Sequence, residues 1–151
     1  MEKKRTRNYA TVIYPESAVE NWKVILQEQC VPALISPIHN KDINSDGELK
    51  KEHYHVIIMF DGPKTKEQAQ EIFDLIGGVG SEPIKSVRAY ARYLCHLDNP
   101  DKTHYIIDDV QALSGADYNT MISLASDKYS AIGEMIDFCI QNCIESYAQL
   151  L

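Results

Sequence analysis

Long apolar runs are absent from this sequence, and no stretch approaches the roughly 20 residues that a membrane-spanning helix needs. The N-terminus, MEKKRTRNYATVIY, starts basic but lacks the apolar core and small-residue cleavage site of a secretory signal. A cytoplasmic location is expected, with no membrane partner. Cysteine is scarce and badly spaced for thiolate metal binding: Cys30, Cys95, Cys139 and Cys143 form no CxxC pair. Free cysteines usually behave as small apolar residues, which is the role expected of Cys139 and Cys143, four apart in a helical pattern. Internal repeats and low-complexity segments are also missing. Positive charge is in short supply, with 15 basic against 22 acidic residues and a net charge of −7. That balance argues against tight, non-specific binding to nucleic acid. Its distribution is uneven, however: residues 1–8 carry four bases and one acid, whereas residues 100–151 carry two bases and eight acids. A basic arm at one end can still meet phosphate.

What is present suits one soluble domain with the start of a second element. The 151 residues are 44% hydrophobic. A chain of this size buries roughly two-thirds of its unfolded surface. Residues 8–14 (NYATVIY) read as a strand. Ser17 and Glu20 fit a capping box opening a helix whose apolar stripe is Val19, Trp22, Ile25 and Leu26. Residues 31–38 read as a strand, with Pro32 and Pro37 placing it near an edge or marking its ends. A polar connection over 39–52 leads to the clearest strand, 53–60 (HYHVIIMF). A turn is expected at Gly62-Pro63, then a second capping box at Thr65 and Gln68, and a helix to Ile76 stopped by Gly77-Gly78. Residues 83–87 suggest a short strand, 87–96 a helix ended by Asn99-Pro100, and 104–110 a final strand or extended segment. From Tyr118 onward the pattern is helical. Adjacent strands without intervening helices indicate an antiparallel or mixed sheet. The fold class expected is α+β: a ferredoxin-like or RRM-like antiparallel sheet flanked by helices, with C-terminal helices.

Chemistry concentrates in two places. His53 and His55 alternate with Tyr54, so period two puts both imidazoles on one sheet face, within reach of one ion. His39 and Asp42 end the preceding strand. If the two strands pair, three imidazoles and a carboxylate converge on a site suited to a divalent Lewis acid. Mn2+ or Mg2+ fits better than Zn2+ if the task is to polarise a phosphate. A pair of histidines on one face also arises by chance, and the added pair is what lifts this set above it. Tyr90 and Tyr93 lie three apart on the expected helix and share a face. Taken alone, such a stripe more often fills a core.

Histidines in H-x-H order followed by a helical tyrosine resemble the HUH endonuclease superfamily. The segments YPES at 14–17, VPALISPIHNKD at 31–42, KKEHYHVIIMF at 50–60 and RYLCHLDNPDKTHY at 92–105 resemble, in order and spacing, the motifs of rolling-circle replication initiators of small Gram-positive plasmids. The likeness covers about residues 9–108. It implies a site-specific DNA endonuclease and strand transferase that nicks and rejoins one strand at a plasmid double-strand origin. It implies metal ligands at His39, Asp42, His53 and His55, with Mn2+ or Mg2+ as cofactor. The nucleophile falls on Tyr93, with Tyr90 as the alternative, and His96 or Arg92 would assist it. The products implied are a 5′-phosphotyrosine and a free 3′-OH. Origin DNA, duplex and single-stranded or hairpin, is the implied partner, followed by host helicase and polymerase. Phosphate contacts are expected among Lys3, Lys4, Arg5, Arg7, Lys50, Lys51, Lys64, Lys66, Lys85 and Arg88. Each of these taken singly is a solvated surface charge.

Rival readings remain at this level. A relaxase or single-tyrosine transposase shares the chemistry, although relaxases usually carry the tyrosine near the N-terminus. A non-catalytic origin-binding regulator would keep the fold without the reaction, and a structural metal module would keep only the ion. The expected organisation is a nicking domain over 1–115 and a helical segment over 116–151. Met121, Leu124 and Ala125 begin that segment. A broad apolar face follows, from Ile132 through Met135, Cys139, Cys143 and Tyr147 to Leu151. The segment reads as the start of an oligomerisation region, with the chain either cut within a longer protein or a short natural variant.

Overall fold

A computed structural model describes residues 4–123. Lys3 and the apolar face expected beyond Ser123 lie outside the described residues. The elements, in order, are β1 (Arg5–Ile13), α1 (Trp22–Glu28), β2 (Ala33–Ile35), β3 (Tyr54–Thr65), α2 (Lys66–Ile76), β4 (Val79–Pro83), α3 (Val87–Tyr93), a 3-10 turn (Ile107–Asp109), β5 (Gln111–Leu113) and α4 (Tyr118–Ile122). The strands form one sheet in the order β4-β1-β3-β2-β5, every neighbouring pair antiparallel. This is the expected α+β architecture, a ferredoxin-like order extended by β5 beyond β2.

The sheet uses its two faces differently. Directly paired residues share a face, so the register sorts them. One face carries Tyr9, Ile13, Ala33, Ile35, Val56 and Ile58. It packs with Trp22 and Leu26 of α1 and with Ala69, Phe73 and Ile76 of α2 into the main core. Fully burying each large side chain there contributes about 1.5–3 kcal/mol. The intervening residues Ala10, Leu34, His53, His55 and Ile57 are also buried but point the other way. That second face belongs to α3 and the segment after it, where Ala91, Leu94, Cys95 and Tyr118 are buried.

Several boundaries differ from the sequence reading, each for a local reason. The Ser17–Glu20 capping box does not form. The Ser17 and Ala18 amides both donate to Tyr14 O, and the Val19 amide donates to Ile76 O at 3.2 Å. The segment is thus a turn tied to the end of α2. The helix starts one residue after Asn21, which is left-handed at φ 61 and makes no side-chain cap. β3 does not stop at Gly62-Pro63. Asn8 pairs with Met59 and Thr6 with Lys64, so residues 60–63 bulge outward within one continuing strand. Of the two readings of Pro32 and Pro37, the second holds: they flank a three-residue β2 that is paired on both sides. The strand expected at 83–87 lies earlier, because Ser86 caps α3 by accepting the Ala89 amide at 3.2 Å. That helix ends at Tyr93, well before Asn99-Pro100. His96 takes a left-handed φ of 56 and the Leu97 amide returns to Arg92 O. The extended segment expected at 104–110 contains the 3-10 turn, and pairing begins only at Gln111.

Other elements formed as the spacing required. At Thr65 the capping box is complete, with the Gln68 amide donating to Oγ1 at 3.2 Å and the Thr65 amide donating to Gln68 Oε1 at 2.8 Å. α2 ends at Gly77, left-handed at φ 85, where an added Cβ would sit 2.8 Å from Ser17 O. Both the conformation and the close approach require glycine there.

Candidate active site

Strand register assembles the histidines. His39 and His53 form an isolated antiparallel bridge, the His39 amide donating to His53 O at 2.8 Å. His55 follows two residues on, so its ring falls beside both. The ring centroids are 5.2 Å apart for His39–His53, 4.7 Å for His39–His55 and 5.0 Å for His53–His55. Asp42 closes the group, with Oδ2 at 2.9 Å from His39 Nδ1 and 3.6 Å from His53 Nε2. His39, His53 and His55 offer ligand atoms within 4.8 Å of one another, and so do His39, Asp42 and His96. All four residues expected to be ligands therefore meet, and His96 joins them. All five are buried.

The hydrogen bonds fix which nitrogens are available. His39 Nε2 lies 2.7 Å from Leu94 O, and a carbonyl only accepts, so this nitrogen carries the proton. In neutral His39 the Nδ1 lone pair then faces the Asp42 carboxylate. Two acceptors at that separation need a proton or a metal cation between them. His53 Nδ1 donates to Lys51 O at 2.8 Å, leaving Nε2 toward Asp42. Burial lowers the His39 pKa despite the Leu94 and Asp42 contacts. It lowers His55 to about 3, with the other imidazoles adding to the effect. Neutral imidazoles are what a metal requires. Among the described residues, the buried side-chain nitrogens without a hydrogen-bond partner are His55 Nδ1 and His96 Nε2. Both belong to this cluster, and the donor set fits a divalent ion.

A second layer holds the first. Tyr105 stacks on His39 at 4.3 Å between centroids and 18° between planes. Its hydroxyl donates to Asp42 Oδ1 at 2.5 Å. Burial and this bond push the Tyr105 phenol up to about 12. Burial opposes ionisation of Asp42, but the bonds from Tyr105 and His39 outweigh it and hold the carboxyl below its ordinary range. His96 Nδ1 donates to Thr103 O at 2.8 Å.

α3 presents both tyrosines on the chemical face. Tyr93 meets His55 edge-on at 5.5 Å and His96 at 5.1 Å between centroids. Tyr90 stands farther out, 6.4 Å from His55. Burial, the Glu82 carboxylate and Tyr93 push the Tyr90 phenol up to about 12. Tyr93 lines an open cleft with Val12, His55, Lys85 and Tyr90. It also lines a cavity of about 80 Å³ with Asp42, Lys50, His96 and Lys102. Lys102 Nζ lies 5.1 Å from the Tyr93 ring centroid. Arg92 points elsewhere, forking onto Asp98 at 2.8 and 2.9 Å.

The basic residues expected at DNA separate into groups. Lys50 and Lys85 line the spaces beside Tyr93, and Arg88 is exposed on α3. Lys51 is ion-paired with Glu16 and lies over the Tyr14 ring. Lys4, Arg5, Arg7, Lys64 and Lys66 are exposed where the start of β1 pairs with the end of β3. Sequence reasoning missed Tyr105 and Lys102. The only signal was their membership of the RYLCHLDNPDKTHY segment, which names no contact.

Residues 1–119 match the family described as plasmid replication protein, origin binding domain. A Replication protein RepB of Lactiplantibacillus plantarum is 40% identical over 140 residues, 92% of this chain and 63% of that protein. A replication protein of Staphylococcus aureus is 34% identical over 148 residues, 97% of this chain and 74% of that protein. A Replication protein RepB of Streptococcus agalactiae is 26% identical over 162 residues, 97% of this chain and 77% of that protein. The chain thus spans less than two thirds of the first of these relatives.

Proposed function

The chain belongs to the family of plasmid replication protein origin-binding domains, and from that premise we propose that it nicks and rejoins one DNA strand at a plasmid origin to start rolling-circle replication. The observation that carries this reading is the placement of Tyr93 against His55 and His96, beside the His39–Asp42–His53–His55 group. A phenol with no metal site nearby would suit a core, and a metal site with no nucleophile would suit a structural role.

His39, Asp42, His53 and His55 would hold a divalent cation, Mn2+ or Mg2+. When bound, it supplies Lewis-acid neutralisation of the charge on a non-bridging oxygen of the scissile phosphate. The Tyr93 phenol attacks phosphorus, the bond from phosphorus to the 3′ oxygen breaks, and the chain carries a 5′-phosphotyrosine. A phenol has an ordinary pKa near 10 and needs a proton acceptor. Arg92 is committed to Asp98, which leaves His96 for that task. Its Nδ1 is held by Thr103, so Nε2 is the free acceptor, and the proton then passes to the departing 3′-OH. One phosphodiester replaces another, so rejoining needs no external energy source. Tyr90 packs at the rim of the cleft. The substrate is single-stranded or hairpin DNA at the origin, with duplex contacts from the surface lysines and arginines. Host helicase and polymerase follow at the free 3′-OH, and residues 116–151 begin a region for self-association.

The test is a labelled single-stranded oligonucleotide carrying the origin nick site, incubated with Mn2+ or EDTA. A covalent adduct is expected with Mn2+ for the unaltered protein and for Tyr90→Phe. None is expected with EDTA or with Tyr93→Phe. Absence of any adduct in Mn2+ or Mg2+, with tight duplex binding intact, would leave an origin-binding protein without the reaction.

A further inference from the structure

We propose that Tyr105 is a positioning residue of this centre, one that turns the Asp42 carboxylate into its metal-binding orientation and so sets the affinity for the divalent ion. The inference rests on the metal reading above and deepens it.

The geometry around the hydroxyl leaves its proton one destination. The Lys41 amide donates to Tyr105 Oη at 3.1 Å, so that oxygen already accepts. Its own hydrogen then points to Asp42 Oδ1 at 2.5 Å. With Oδ1 occupied, the carboxylate can only turn Oδ2 inward, toward His39 Nδ1 and His53 Nε2. Asp42 therefore offers one oxygen to an ion, and the other is locked to the phenol. The same ring lies flat on His39, whose Nε2 is held from behind by Leu94 O. Two of the four ligands thus take their orientation from one side chain.

The backbone around Tyr105 is tied to the site as well. Its amide donates to Cys95 O at 3.2 Å, and Thr103 Oγ1 donates to Lys41 O at 3.3 Å. Residues 103–105 therefore bridge the ligand loop and the turn after α3. Outer-shell partners of this kind typically govern metal affinity by 10–100-fold.

Mn2+ titration followed by electron paramagnetic resonance tests the assignment. Tyr105→Phe keeps the ring on His39 and removes only the hydroxyl. It is expected to bind Mn2+ 10–100-fold more weakly, with the melting temperature in EDTA close to that of the unaltered protein. A purely structural role would move the melting temperature and leave the affinity per folded molecule unchanged. Equal Mn2+ affinity in the two proteins overturns the proposal and leaves the metal site standing. No Mn2+ binding by the unaltered protein overturns both. Should Tyr105→Phe not fold, proton NMR of the unaltered protein decides. A slowly exchanging Tyr105 hydroxyl resonance that shifts when Mg2+ is added supports the proposal, and its absence overturns it.

Discussion

The imidazole pair at the head of β3 and the carboxylate three residues after His39 were legible because each lies in a short, regular pattern. Period two places His53 beside His55 without knowledge of the fold, and the bridge to His53 then brings in His39. Tyr105 and Lys102 have no such regularity. Tyr105 reaches Asp42 across 63 positions, through a turn whose course depends on the left-handed His96. Lys102 was invisible for the same reason, yet its ammonium stands over the Tyr93 ring and lines the cavity shared with Asp42. A cation at that distance from an aromatic face is worth about 0.5–1 kcal/mol at an exposed site. Lys102→Ala should therefore slow single-turnover nicking by about two- to fivefold without changing Mn2+ affinity. An unchanged rate would mean that the lysine is only a surface charge.

Two capping boxes of the same form were read from the sequence, and only one exists. Thr65 and Gln68 satisfy each other at the head of α2. Ser17 and Glu20 do not: the Ser17 amide that the Glu20 side chain would engage already donates to Tyr14 O, and the Val19 amide is drawn to Ile76 O. Local spacing is sufficient where the chain enters a helix from a strand. It fails where a tertiary contact claims the same amide. The Gly62-Pro63 bulge is a similar case: the dipeptide does break the regular ladder, but β1 recaptures the strand at Lys64 and Thr65. At this scale Thr65→Ala should cost about 0.5–2 kcal/mol, since the Gln68 amide loses the hydroxyl that accepts it. Urea denaturation at constant m-value reads this directly. A loss below about 0.3 kcal/mol would show that packing of Phe73 and Ile76, not the cap, holds the helix start.

For the molecule as a whole, the acidic balance pointed away from nucleic acid, whereas the motif set pointed toward it. The fold reconciles them by gathering several cations where β1 meets the end of β3, with Lys50 and Lys85 beside Tyr93. Asp42, one of the acids in the count, faces imidazoles rather than solvent. A ligand that binds only the folded state adds stability by mass action, about 2.7 kcal/mol at one hundred times its dissociation constant. Saturating Mn2+ should thus raise the melting temperature by several degrees over EDTA, and His39→Ala should abolish the rise. A rise that survives His39→Ala would place the ion elsewhere.

β3 is a strand in which structure and chemistry are interleaved letter by letter. Tyr54, Val56 and Ile58 pack on the main core, and His55 and Ile57 between them, like His53 just before the strand, point to the opposite face. Exchange of one letter leaves this text readable, because its neighbours keep their sides. Loss or gain of a single letter inverts everything downstream, sending imidazoles into oil and aliphatics into the site. The strand therefore tolerates spelling changes far better than frame changes. Descendants of this sequence should vary in β3 by substitution and put their insertions in the Gly62-Pro63 bulge.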